Sequence, residues 1–241
     1  GCLISFQLPI FLNELDKSDL TYYLKGIIYG ILGLLPTLIV SGIMLQIEHF
    51  FIRFLPVIFI CAILIGLFFI SFKTLITVLT IFSKIVQILG YIFFFLLCLT
   101  FFFNMNFTNM TLIDEALRIV FQMSIIVCGS LVFCEIILRN FSKQIEKAGK
   151  ILQIDKYSVM GIILSFGTSI AMLPLFPKMN KKGKILNAAF SLSGAFVFGG
   201  QLGFIASVNP QSVTWFIIVK ITAGLLGIFI ANIFEKQSIT Q

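Results

Sequence analysis

The chain alternates long apolar runs with short polar turns. A helix needs about 20 apolar residues to cross a hydrocarbon core, and six runs are long enough: residues 22–45, 51–70, 75–103, 116–138, 188–207 and 213–234. The third is long enough for a tilted helix or an interfacial start around Lys84. Pro36 and Pro56 fall inside two of the spans, where proline removes a backbone donor and a neighbouring group must satisfy the freed carbonyl. A seventh apolar segment, 157–176, is separated from the fifth span by the basic turn 177–184. The pattern therefore predicts an all-α integral membrane protein: one polytopic helical bundle of about six full spans plus a re-entrant or broken helical segment.

Composition agrees. With 59% apolar residues, 11% charged and a mean hydropathy of +1.09, a water-soluble globule would expose far more apolar surface than soluble proteins do. The net charge of +7 would suggest a nucleic-acid partner in a soluble domain. Here the charges sit in short loops between spans, where lysine and arginine set topology, so the expected surroundings are a lipid bilayer and no nucleic acid. Cys2, Cys61, Cys98, Cys128 and Cys134 lie in apolar surroundings with no CxxC, and read as small core residues. The chain opens on Gly1 in sequence that is already apolar, with neither a basic n-region nor a cleavage site. That suits a chain continued upstream, so the membrane domain, 1–241, is expected to be N-terminally incomplete.

Charge also bears on how 157–176 is threaded. Arg139, Lys143, Lys147, Lys150 and Lys156 precede it, and Lys178, Lys181, Lys182 and Lys184 follow it. A simple crossing would put one cluster outside, against the positive-inside rule. A re-entrant hairpin turning near Gly167–Ser169 would leave both inside, together with Lys17, Lys25, Lys73, Lys84 and Lys236. The acidic loop 104–115 and the uncharged loop 208–212 would then lie outside, with only Arg53 and Arg118 on the outer side. The alternative is a full span that breaks the rule. Between spans, Phe141, Ile145, Ala148 and Leu152 recur at helical spacing opposite Lys143, Lys147 and Lys150, which fits either an interfacial helix on anionic lipid or a charged extension of the preceding span.

Small and polar residues concentrate in 157–209: Gly167, Thr168, Ser169, Pro174 and Pro177 in the first part, then Asn187, Ser191, Ser193, Gly194, Gly199, Gly200, Gln201 and Gly203. Apolar sequence interrupted in this way is tolerated at membrane depth only against protein or a water-filled cavity, which marks 157–209 as the pathway-lining core. Catalytic groupings are scarce. His49, the only histidine, stands in a loop beside Glu48, so a histidine-rich metal site and a Ser-His-Asp triad lack partners. Glu135 precedes Arg139 by one helical turn, the spacing of a local ion pair. No nucleotide-binding loop is present. The chain is thus expected to be no enzyme and to hold no metal or cofactor. Lys220, inside the last span, is the exception. An intramembrane lysine either faces a functional pathway or snorkels to the interface.

The residues also carry a family resemblance. Gly149-Lys150-Ile151-Leu152, the run Gly167 to Leu173, the turn Lys178 to Phe190, the run Val197 to Phe204 and Val219-Lys220-Ile221-Thr222-Ala223-Gly224 match, in order and spacing, the motifs of the ethanolamine permeases called EutH. Pro9, Ser18 with Asp19, and Pro36 fall in place as well. The resemblance is strongest over 135–230 and looser back to Gln7, while the family's opening helices have no counterpart before Gly1. It implies a permease moving a small polar amine, ethanolamine, across a bacterial cytoplasmic membrane, with a cytoplasmic C-terminus and with an oligomer or upstream helices as partners. The alternative is a scaffold or degenerate paralogue that no longer transports. This chain departs from the pattern where the family's Asp-His pair becomes Gly200 and Gln201, its Asn-Asn pair Thr168 and Ser169, and a proline Ala171. The expected substrate pathway is then Thr168, Ser169, Asn187, Gly199, Gly200, Gln201, Gly203, Phe204 and Lys220, with Phe198, Phe204 and Trp215 as aromatics able to meet an amine.

Overall fold

In the computed structural model, residues 8–44, 49–103, 105, 107 and 109–237 are described. Cys2, Gln7 and Glu48, named above, lie outside them, as do the side chains of Pro9, Arg53 and Lys236. Every regular element among the described residues is helical: α1 (Leu8–Glu14), α2 (Lys17–Met44), α3 (Phe50–Ile70), α4 (Phe72–Phe103), α5 (Met110–Asn140), α6 (Ser142–Leu152), α7 (Lys156–Gly167), α8 (Lys181–Ser193), α9 (Gly200–Val208) and α10 (Val213–Gln237), with 3₁₀ segments at Ser169–Lys178 and Pro210–Ser212. Five of these, α2, α3, α4, α5 and α10, are long and apolar enough to cross a membrane, so the protein is a polytopic all-α membrane protein.

The sixth expected span, 188–207, is corrected by the structure. Its apolar run breaks into α8 and α9, because Gly194, Gly199 and Gly200 supply no side chain to hold a helix and Phe196 takes a left-handed backbone, φ 61°. Segment 157–176 is likewise broken, into α7 and the 3₁₀ segment, and it doubles back. The Asp155 carboxylate caps α7 by accepting from the Ser158 N–H at 2.9 Å and also accepts from the Asn180 N–H at 2.5 Å. The two ends of the hairpin therefore lie together, as the re-entrant threading requires.

The tight centre is α2, α8 and α10. A Cβ on Gly30 would stand 2.6 Å from the Ala189 carbonyl, and Gly227 lies against Gly30 and Ala189. Small residues of this kind let membrane helices approach backbone to backbone. Ion pairs tie the same helices, one buried and one half-exposed. Lys184 of α8 pairs with Asp19 of α2, and Lys25 of α2 meets Glu235 of α10 at 2.7 Å. With Asp155 and Asn180, they bring the start of α2, the end of α10, the α6–α7 corner and the start of α8 to one face. Beneath this face Phe11 of α1 stacks on Tyr23 at 4.5 Å, edge-on to Phe176 at 6.2 Å.

The helices agree with the further readings only in part. Helix α4 runs unbroken for 32 residues, roughly 48 Å at 1.5 Å per residue, longer than the hydrocarbon core. The carbonyl that Pro36 frees is that of Leu32, four residues back, whereas the Thr37 hydroxyl donates to the next one, of Gly33, at 2.9 Å. Arg139 pairs with Glu135 at 2.7 Å. Helix α6 is separated from α5 by a break at Phe141; Ile145 is buried, and Ala148 and Leu152 pack beside it, while Phe141 is exposed. Cys61 and Cys134 are buried, but Cys128 is exposed and so is no core residue.

Candidate functional site

The two interrupted segments cross. From the unwound stretch between α8 and α9, the Phe196 N–H donates to the Ser165 carbonyl and the Phe198 N–H to the Phe166 carbonyl, each at 2.9 Å. These carbonyls belong to the last turn of α7, whose C-terminal carbonyls have no partner within their own helix. Each break thus satisfies the other's backbone, which is what irregular chain at membrane depth requires. The approach is so close that a Cβ on Gly199 would lie 1.9 Å from the Gly167 carbonyl oxygen. Glycine is required there by contact, since its φ is −114°.

Beside the crossing lies a cavity of about 490 Å³ between α2, α3, the end of α8, the start of α9 and α10. Its walls are mostly apolar, with Ile31, Cys61, Leu64 and Phe216 among them, and its polar groups are Ser193, Gln201 and Lys220. The Lys220 ammonium donates to Gln201 Oε1 at 2.6 Å and stands 5.5 Å from the Phe216 ring centroid. Ser193 is buried, and its hydroxyl has no hydrogen-bond partner among the described residues. Lys220 lies about 10 Å along α10 from its start, at 1.5 Å per residue. Its side chain reaches across to α9 rather than along its own helix toward the end.

Of the nine residues singled out from the sequence, Gln201 and Lys220 meet in this cavity, and Gly199 forms the crossing. The rest stand elsewhere. Thr168 caps the 3₁₀ segment by accepting from the Ile170 N–H. Ser169 is buried, its hydroxyl without a partner among the described residues. Asn187 is fully buried and donates both amide hydrogens to carbonyls, of Ser158 at 2.8 Å and of Gly183 at 2.9 Å, so it ties α8 to α7. Gly200 and Gly203 face α5; a Cβ would meet Met123 at 3.1 Å and 2.8 Å respectively. Phe204 and Trp215 are exposed. Phe198 stacks on Phe166 at 5.9 Å and lines a second, apolar cavity of about 210 Å³ with Ser130, Phe133 and Cys134. Ser193 and Phe216 are cavity residues absent from the expected set. Phe216 was findable, since it precedes Lys220 by one helical turn. Among the described residues no three His, Cys, Asp or Glu side chains converge in a manner able to hold a metal ion.

The chain is 29% identical to the probable ethanolamine permease EutH of Listeria monocytogenes, over 99% of its own length and 66% of that protein's. It is 26% identical to the uncharacterized protein YxeR of Bacillus subtilis, over 93% of this chain and 62% of the relative. A third relative, the probable ethanolamine permease EutH of Salmonella typhimurium, is 26% identical over 48% of this chain and 29% of its own length. The chain therefore spans about two thirds of the Listeria relative, and somewhat less of the Bacillus one. No solved structure matches it significantly. The model of the ethanolamine utilisation protein family EutH matches residues 1–234, reaching back through the opening residues where the motifs alone were loose, and the chain belongs to that family.

Proposed function

We propose that this chain carries the translocation part of a permease for a small polar amine, ethanolamine in the reading the family favours. The observation that carries it is the crossing of two interrupted helices beside a cavity holding an intramembrane lysine. Discontinuous helices meeting at membrane depth are the usual construction of substrate sites in secondary transporters, and an intramembrane ionisable group marks function by default. The names of the Listeria and Salmonella relatives point the same way. In this reading the protein sits in a bacterial cytoplasmic membrane, with the face that gathers Asp155, Lys184 and Glu235 in the cytoplasm and the C-terminus there too.

The Lys220 charge bears on which form of the amine passes. Two like unit charges 4 Å apart repel by about 4 kcal/mol at an effective dielectric constant of 20, so an ammonium is a poor occupant beside Lys220 and the uncharged amine a better one. The test is uptake of labelled ethanolamine into proteoliposomes containing the purified chain, across a pH series. Uptake above protein-free liposomes, rising with pH and altered by Lys220→Met, is the expected result. Flux no greater than that of protein-free liposomes at every pH would favour the scaffold or degenerate reading.

A further inference from the structure

We infer that the mouth of the hairpin binds the headgroup of an anionic membrane phospholipid, between Lys156 and Lys178 on the ring of Tyr157. Lys156 opens α7 and Lys178 ends the 3₁₀ segment, and the fold brings both to one ring. The Lys156 ammonium stands 5.4 Å from the Tyr157 ring centroid and the Lys178 ammonium 5.9 Å. The ring attracts each cation, while the two cations repel each other, and an anion seated with them offsets that repulsion. Tyr157 is half-buried and packs on the core that holds Phe176, so the ring is a fixed base. Both lysines are exposed and open to a ligand from outside.

The protein's own carboxylates do not take these charges. Neither lysine belongs to an ion pair among the described residues. Asp155, next to Lys156, spends its carboxylate accepting from the Ser158 N–H and hydroxyl at 2.9 and 3.0 Å and from the Asn180 N–H at 2.5 Å. The same bond to Asn180 sets the exposed Lys181 at the mouth as a third positive charge. Depth selects the source of the anion. Lys156 and Lys178 flank the apolar segment 157–176, the level at which chain leaves hydrocarbon and at which tyrosine and lysine gather against headgroups. A basic cluster at that level meets lipid phosphates already concentrated there. It favours a headgroup of net negative charge, such as phosphatidylglycerol, over phosphatidylcholine, whose choline returns a positive charge to the site.

These residues are other than those lining the two cavities, so the site is tested without any transport readout. The purified chain in dodecyl maltoside micelles is titrated with phosphatidylglycerol, with phosphatidylcholine and with inorganic phosphate. Thermal unfolding is followed, and retained lipid is counted by native mass spectrometry. A saturable rise in melting temperature and retention of phosphatidylglycerol are expected, with little of either for phosphatidylcholine. Lys156→Gln and Lys178→Gln should each weaken the effect roughly fivefold and together about 25-fold. Tyr157→Phe should keep it, whereas Tyr157→Leu should weaken it with both lysines still present, because the ring is what gathers them. Lys143→Gln with Lys147→Gln removes the same charge from the exposed positions of α6 and should leave it nearly unchanged. An equal loss in that α6 pair would overturn the proposal, since the attraction would then belong to the basic face as a whole. Equal stabilisation by phosphatidylcholine would overturn it as a general lipid effect. Saturable stabilisation by inorganic phosphate that displaces the lipid would overturn it too, by making the mouth a site for a soluble phosphate.

Discussion

Gly199→Ala is the sharpest perturbation of the crossing. The new Cβ would stand 1.9 Å from the Gly167 carbonyl oxygen, against an ordinary contact of about 3.5 Å, so the two unwound segments must part by roughly 1.5 Å. That displacement stretches the Phe196-to-Ser165 and Phe198-to-Phe166 hydrogen bonds, both 2.9 Å, beyond the range in which such a bond persists. A buried backbone group left unsatisfied costs about 1–3 kcal/mol, and overpacking adds a similar amount before the structure relaxes. The expected loss is therefore about 3–5 kcal/mol, read by equilibrium unfolding in mixed micelles. Gly129→Ala is the internal reference: it lies in α5 with no heavy atom near its Cβ position, and alanine's better helix propensity should make it neutral or up to about 1 kcal/mol more stable. A loss below about 1 kcal/mol at Gly199, or equal effects at both glycines, would refute the reasoning that the contact is unyielding.

Asp19→Asn should cost about 3–5 kcal/mol, because it leaves the buried Lys184 without its ion-pair partner; the double change Asp19→Leu with Lys184→Met should recover most of that in the same assay. For topology, single cysteines at Lys147 and Lys181, both exposed, should be labelled by an impermeant reagent from one side only and from the same side; labelling from opposite sides would remove the re-entrant threading. Asp16, just ahead of α2, has its carboxyl held below the ordinary value of 3.8 chiefly by the Asp19 backbone N–H and next by the Ser18 hydroxyl. A folded value below the unfolded one adds stability that is present above about pH 4 and lost as pH falls through the folded value. Asp16→Asn should therefore lower stability at neutral pH and flatten the acid limb of a stability–pH curve; an unchanged limb would contradict it.

How far the sequence could be read is clearest at three places. The long apolar runs of α2, α3, α4, α5 and α10 were legible because spanning lipid demands length and hydrophobicity that no other constraint produces. The run 188–207 satisfied the same two criteria and still broke. Apolar length does not distinguish a helix from unwound chain whose backbone is satisfied by a distant carbonyl, and Ser165 and Phe166 lie some 30 positions upstream of their donors. The hairpin was legible from charge alone, since nine basic residues around 157–176 left few threadings. The Asp155 carboxylate that closes it on Asn180 was not, because a capping aspartate looks the same whether it serves one helix or two.

By itself, then, the sequence determined the membrane, the helical class, five of the six spans it predicted, the family and the region rich in helix-breaking residues. Those follow from composition, local periodicity and residue order, which are one-dimensional quantities. Tertiary structure alone decided which polar residues share a space. Asn187 is polar in an apolar run and spends its donors joining α7 to α8, and Gly200 and Gly203 make room for Met123, whereas Ser193, Gln201 and Lys220 meet from three separate helices around one cavity. Hydrogen bonds and close contacts act over a few ångströms in space, and the direction in which a side chain leaves its helix is set by how that helix packs against neighbours distant in sequence.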